Sequence, residues 1–220
     1  LNPLQSGVGQ PWYAYYVIKT DGLFRSDAEA EAYVDKEGNR IQPNAKAGDI
    51  KFIDYNGDGI INDKDRQYLG SYTPKYTYAI NGSLAWRGID FSFMLQGVAG
   101  NKIYNGMKAM TYPADQGWNM SADMLDSYTY NSSSNIPRLA MNDANKNFTT
   151  VSDFYLESGS YLRLKNVTIG YTLPKSVMSS IGGSGTNVRL YASGENLFTI
   201  TGYDGMDPEI GYGTDGWVYG

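Results

Sequence analysis

From Lys75 to Arg87 the chain alternates strictly: Tyr76, Tyr78, Ile80, Gly82, Leu84 and Trp86 take one parity, and Lys75, Thr77, Ala79, Asn81, Ser83, Ala85 and Arg87 the other. A period of two over this length specifies a strand with one apolar face and excludes an amphipathic helix, whose apolar residues recur every three to four. Arg87-Gly88 then has the character of a tight turn. Behind it, Ile89, Phe91, Phe93 and Leu95 oppose Asp90, Ser92, Met94 and Gln96, so that 75–87 and 89–98 predict a long hairpin with aromatic ends. A further strand is expected over 160–173, where Val167, Ile169, Tyr171 and Leu173 share a face. Its first half is irregular, because Tyr161, Arg163 and Lys165 carry the parity of that apolar face. Another is expected over 187–199, with Val188, Leu190, Ala192 and Phe198 in register, and one more around 12–18, ahead of all the others.

The connections alternate in length. They are long over 19–73, tight at Arg87-Gly88, long over 100–159, moderate over 174–186 and long again from Thr201. Short turns on one side and long loops on the other are the habit of transmembrane β-barrels, whose strands need only about 9–11 residues with alternating character. Trp12, Tyr13, Tyr15, Tyr16, Tyr76, Tyr78 and Trp86 then suit aromatic girdles at the two bilayer interfaces. A soluble antiparallel sandwich with large loops stays open at this point. Either way the class is all-β and antiparallel. The 20 Tyr and 26 Gly, strand and turn formers, agree with it.

Composition removes several functions. A net charge of −5 and a pI near 4.7 argue against a nucleic-acid partner, which calls for clustered cations. There is no Cys and no His, which removes Ser-His-Asp and Cys-His nucleophiles and ordinary zinc sites. No apolar run of about 18 residues occurs, so no helical membrane span is expected.

Local motifs occupy the long connections. Ser26-Asp27-Ala28-Glu29 has capping-box spacing and predicts a short helix to about Tyr33, and Ser121 is placed to cap another through Met124, Leu125 and Asp126. The segment 54–65 matches the opening of an EF-hand loop. In a Ca2+ reading Asp54, Asn56 and Asp58 supply side-chain oxygens at alternate positions, Gly59 makes the sharp turn, and Ile60 offers its carbonyl. Asn62 and Asp65 then take the ninth and twelfth places. Position twelve is Asp rather than Glu, and extended chain flanks the loop, so an Asx-rich turn that holds no metal is the alternative. In the connection 100–159, Tyr104, Tyr112, Trp118, Tyr128 and Tyr130 suit stacking on sugar rings or a partner, with loop packing as the alternative. Asp204, Asp207 and Glu209 read as solvated turn residues rather than a catalytic carboxylate pair.

Taken in order, these segments resemble SusC/RagA-type TonB-dependent outer-membrane transporters. The resemblance runs through Gly48-Asp49-Ile50-Lys51-Phe52, Asp54 to Gly59, Asp65-Arg66, Leu69-Gly70, Pro74-Lys75-Tyr76, Gly88 to Ser92 and Gln96 to Gly100. It continues through Ile136-Pro137-Arg138-Leu139, Leu156 to Asn166, Gly170-Tyr171, Ser193 to Leu197 and Tyr203 to Glu209. It implies the C-terminal part of a barrel of about 22 strands. The family's plug, TonB box and terminal strand are not in this stretch, which implies a piece of a longer chain. It further implies TonB-driven import of oligosaccharide or peptide cargo with a SusD-like lipoprotein partner, amid outer-membrane lipid, and no covalent chemistry in this segment. The alternative is a secreted calcium-dependent glycan-binding β module.

Overall fold

The computed structural model describes residues 2–180, 183 and 185–209. In chain order the elements are β1 (Leu4–Gln5), β2 (Ala14–Ile18), β3 (Thr20–Leu23), α1 (Asp27–Ala32), β4 (Ile50–Phe52), β5 (Arg66–Ser71), β6 (Tyr76–Trp86) and β7 (Ile89–Ala99). They continue with β8 (Lys102–Tyr104), α2 (Gly106–Thr111), β9 (Leu156–Ser158), β10 (Tyr161–Thr172), α3 (Lys175–Ser180) and β11 (Arg189–Thr201). The chain divides into two units. A strand unit comprises Thr73–Asn101 and Ser158–Tyr203; a loop unit comprises the described parts of Leu1–Tyr72, Lys102–Glu157 and Asp204–Gly220.

The strand unit is an antiparallel sheet in the order β11-β10-β7-β6. Arg87 and Gly88 close the first hairpin with φ of 47° and 86°, the left-handed pair that a type I′ turn requires and that matches the twist of the strands. Register decides the faces. Leu84 lies opposite Phe91, Phe91 opposite Ile169, and Ile169 opposite Ala192, so one row of apolar residues crosses all four strands. On the other face Ser83, Ser92, Thr168 and Ser193 make the matching polar row.

The irregular first half of 160–173 has a structural cause. The pairing of β10 with both neighbours shifts between Leu164 and Asn166, a bulge at Lys165. One extra residue flips every side chain beyond it to the opposite face. Leu162 and Leu164 therefore join the apolar face, opposite Gly97 and Leu95, while Tyr161 and Arg163 turn to the polar one. Bare glycines take the larger rings on the apolar face: a Cβ on Gly82 would meet the Phe93 ring at 2.3 Å, and one on Gly97 the Tyr78 ring at 2.6 Å.

The strands hold 11 to 13 residues. At about 3.3 Å per residue and a tilt near 45° the shortest spans about 26 Å, the height of a barrel's apolar band. The long connections both enter this sheet at one end, before β6 and between β7 and β10, as the alternation of lengths requires.

The expectation of a wall strand over 12–18 is corrected. β2 pairs with β1 and β5 in a separate three-stranded sheet of the loop unit. Ala14, Tyr15, Val17 and Ile18 are all buried, so both faces are covered. The run Ala14-Tyr15-Tyr16-Val17-Ile18 is apolar at both parities, and such a run is the mark of a strand covered on both faces. Tyr15 thus belongs to a core, stacked with Tyr104 at 6.4 Å between ring centres, and not to a girdle.

The two long loops are also more ordered than loops. Between them they hold β3, β4, β5, β8, β9, α1 and α2, and they fold together. Ser26 caps α1 by accepting from the Glu29 amide at 3.1 Å, as expected; the Glu29 carboxylate reaches the amide of Arg25 at 2.7 Å rather than that of Ser26. Ser121 caps a short 3-10 turn over Ala122–Asp126.

Candidate functional site

The loop unit is built on a polar core that joins the two long connections. Asp49 leaves its carboxylate 0% exposed beside Arg138, whose Nε donates to Oδ1 at 2.6 Å. Asn147 Nδ2 donates to the same oxygen at 2.7 Å, and the Lys46 amide donates to Oδ2 at 2.9 Å. Around this pair the short strand β4 is held largely by side chains. Asn147 Oδ1 accepts from the Ile50 amide at 2.8 Å, Gln42 Oε1 accepts from the Phe52 amide at 2.8 Å, and Gln42 and Asn145 both donate to the Ile50 carbonyl. A buried strand edge must find partners for its amides and carbonyls, and here amide side chains supply them.

Gly48 allows this junction. Its φ is +84°, and a Cβ there would lie 2.4 Å from the Tyr128 ring and 2.9 Å from the Arg138 Cβ. Its carbonyl accepts from the Arg138 amide at 2.8 Å. The segments Gly48-Asp49-Ile50 and Ile136-Pro137-Arg138, far apart in sequence, are therefore two halves of one contact.

The segment 54–65 closes on itself. Asp54 accepts from the amides of Gly57 and Gly59, both at 2.8 Å, and Asn56 Oδ1 accepts from the Asp58 amide at 2.8 Å. Asp58 accepts from the Ile60 amide at 3.1 Å, and the Asn56 side-chain amide holds the Asp58 carboxyl below the usual carboxylate range. The Ile60 carbonyl accepts from Asn62 Nδ2 at 2.9 Å, and Asn62 Oδ1 from the Lys64 amide at 2.9 Å. Asp65, 0% exposed, accepts from the amides of Tyr55, Asn56 and Asn62 at 3.0, 3.3 and 2.8 Å. Among the described residues no three Asp, Glu, His or Cys side chains form one cluster. The six residues read for Ca2+, Asp54, Asn56, Asp58, Ile60, Asn62 and Asp65, bond to one another and to the loop backbone, as in an Asx-rich turn. Ile61 packs inward against the cluster of Ile18, Leu23, Ile50 and Phe52.

The five aromatic residues separate. Tyr104 is buried between Tyr15 and Tyr155, and Tyr112 packs on Phe148 and Phe154. Tyr128 lies against Gly48 with its hydroxyl donating to the Arg25 carbonyl at 2.8 Å. Burial takes the first two out of reach of a ligand, and it pushes their phenols far above the ordinary tyrosine range. Trp118 and Tyr130 do present their rings, at 56% and 65% exposure. Trp118 Nε1 is tied to the Met110 carbonyl at 2.9 Å. Nothing in local sequence separates the buried tyrosines from the open ones, because all sit among the same polar residues.

Asp204 turns out to be paired. Lys108 Nζ lies 2.7 Å from Glu157 and 2.9 Å from Asp204. Burial works against this ammonium, but hydrogen bonds to the two carboxylates outweigh it and hold its pKa above the usual lysine value. Asp207 accepts from the Glu209 amide at 2.8 Å, a turn contact.

Comparison with known proteins agrees with the fold and its long loops. The chain is 34% identical over 208 residues to TonB-dependent receptor P3 of Formosa agariphila, and 32% identical over 203 residues to receptor P26 of the same organism. These matches cover 94% and 92% of the chain. TonB-dependent receptor SusC of Bacteroides thetaiotaomicron is 26% identical over 176 residues, 80% of the chain. The chain spans only about a fifth of these relatives, 19%, 20% and 17% of their lengths. No protein-family model matches it. Among solved structures, the RagAB peptide transporter superposes with a TM-score of 0.67 at 20% identity, over 90% of this chain and 20% of that one. The RagAB importer in its open-open state gives 0.64 at 22% identity, over 96% of this chain and 22% of that one. The apolar face across four strands, the placement of the loops and these relatives agree: the chain belongs to the SusC/RagA-type TonB-dependent receptors of the outer membrane, as a stretch of their barrel wall with its loops.

Proposed function

We propose that this chain is wall and extracellular loop of an importer that takes oligosaccharide or peptide across the outer membrane, energised through TonB and lidded by a SusD-like lipoprotein. The observation that supports it is the apolar face that runs unbroken across four strands of membrane-spanning length, with polar rows behind it. In this reading the polar face of the sheet lines a lumen. Trp118 and Tyr130 are the exposed rings that remain available to cargo or lid. The segment performs no covalent step. A secreted calcium-dependent module would have to cover the same apolar face.

The test uses the two faces of one strand in the full-length protein. Phe93 sits at mid-height of β7 on the apolar face, and its neighbour Ser92 faces the other way. Phe93→Arg is expected to cost about 2–4 kcal/mol, the penalty for a cation at the bilayer midplane, while Ser92→Arg is tolerated. Heat-modifiable mobility of the outer-membrane fraction reads the folded barrel. Equal tolerance of both variants would remove the membrane reading of this sheet. Cargo class is then read from uptake: loss of growth on oligosaccharides but not peptides on deleting the gene supports the glycan branch, and the reverse supports the peptide branch.

A further inference from the structure

The tight-turn end of the strand unit combines two features that wall duty alone does not require. The first is a cation stacked on a ring of the apolar face. By parity Arg87 belongs with the polar face, but its guanidinium lies over the Trp86 ring, 4.9 Å from the centroid, and Trp86 is on the apolar face. Stacking carries the charge round to the membrane side. Of the other charges at this end, Arg189 is held across Gly170 by Asp90, to which its Nε donates at 2.9 Å. Among the described residues no carboxylate is paired with Arg87.

The second feature is a depression on the same face. The last apolar row runs Trp86, Ile89, Tyr171, Leu190, and the row beneath it runs Leu84, Phe91, Ile169, Ala192. Ala192 is a methyl group where its neighbours are large. Around it lies a shallow, open depression of about 410 Å³, lined by Ile89, Leu190, Ala192 and the segment Ile169-Gly170-Tyr171, with Tyr191 at its rim. Its open side is apolar, and Ile89 at its rim pairs with Trp86.

We propose that this end of the sheet binds an anionic phospholipid of the membrane, its phosphate on the Arg87 guanidinium and an acyl chain along the depression at Ala192. The inference rests on the membrane reading above. A planar guanidinium offers two parallel donors to a phosphate, and its stack on Trp86 pre-orders it at the level where barrel aromatics meet headgroups. In barrels the tight turns face the periplasm, so the lipid would come from the phospholipid leaflet.

The experiment is native mass spectrometry of the full-length protein in detergent, with phosphatidylglycerol and phosphatidylcholine of the same chains offered in competition. Retention should favour the anionic lipid by about fivefold, the worth of one interfacial cation, and Arg87→Gln should erase the preference. Ala192→Leu, which places a branched side chain in the depression, should lower retention of both lipids while the preference stays. Equal retention by the wild type, or a preference unchanged in Arg87→Gln, overturns the headgroup contact; undiminished retention in Ala192→Leu overturns the acyl-chain contact. A protein that stays monomeric and soluble without detergent overturns the membrane reading itself, and this site with it. A detergent-folded barrel that shows no preference overturns only the site.

Discussion

Arg138→Ala is expected to loosen the loop unit by about 3–5 kcal/mol, the usual cost of removing one partner from a buried ion pair. The buried Asp49 carboxylate keeps its bonds from Asn147 and the Lys46 amide but loses its counter-charge, in a place that water does not reach. Hydrogen exchange on the full-length protein reads the effect locally: amides of Ile50 and Phe52 should lose roughly two to four orders of magnitude of protection, at 1.4 kcal/mol per decade, if opening of this junction controls their exchange. Those of β7 and β10 should change little, because they lie in the other unit. Arg138→Lys should recover part of the loss, since it restores charge but not the guanidinium geometry. Uniform loss across both units would mean that the pair supports the whole segment. No loss would mean that Asn147 and Lys46 suffice.

Asp65→Ala should cost a comparable amount, about 3–5 kcal/mol. It strands the amides of Tyr55, Asn56 and Asn62 together, and each unpaired buried donor costs about 1–3 kcal/mol, with the exposed part of the loop recovering some of this through water. It also releases the capping box at Asn62 that starts the 3-10 turn over Asp63–Asp65. Exchange and limited proteolysis at 54–65 report it. The same measurement settles the calcium question. If the turn stands on its own hydrogen bonds, millimolar calcium and chelator give the same protection in the wild type, and titration calorimetry shows no heat. A protection rise with calcium that Asp54→Asn abolishes would support the EF-hand reading of Asp54, Asn56, Asp58, Ile60, Asn62 and Asp65.

How much was legible differed by element. The hairpin of β6 and β7 could be read almost to the residue, because Tyr76 to Trp86 alternates without a fault and Arg87-Gly88 can adopt the left-handed pair. The irregularity at Tyr161, Arg163 and Lys165 was visible, and its meaning was recoverable: Leu162 and Leu164 fall out of phase with Val167 and Ile169 by a single residue, which is what one bulge inserts. The 12–18 segment misled because any run of strand formers looks like a wall strand. Its signal was the missing polar parity in Ala14 to Ile18. Among the site residues, Asp65 was singled out as a ligand position, and its bonds to three amides could not be read from spacing. Asp49 and Arg138 stood in the motifs without a role, since local spacing says nothing about a partner 89 residues away.

What the sequence determined by itself was periodicity and its consequences: an antiparallel sheet with one apolar face, tight turns at one end and long excursions at the other. Period two is a property of the backbone, so it is written locally. Only tertiary structure decided that the two excursions are one folded unit, that Tyr104 and Tyr112 are its core while Trp118 and Tyr130 face out, and that β2 belongs to it rather than to the wall. These depend on which side chain meets which across long stretches of chain. Burial, not residue type, then decides whether a tyrosine packs a core or waits for a ligand.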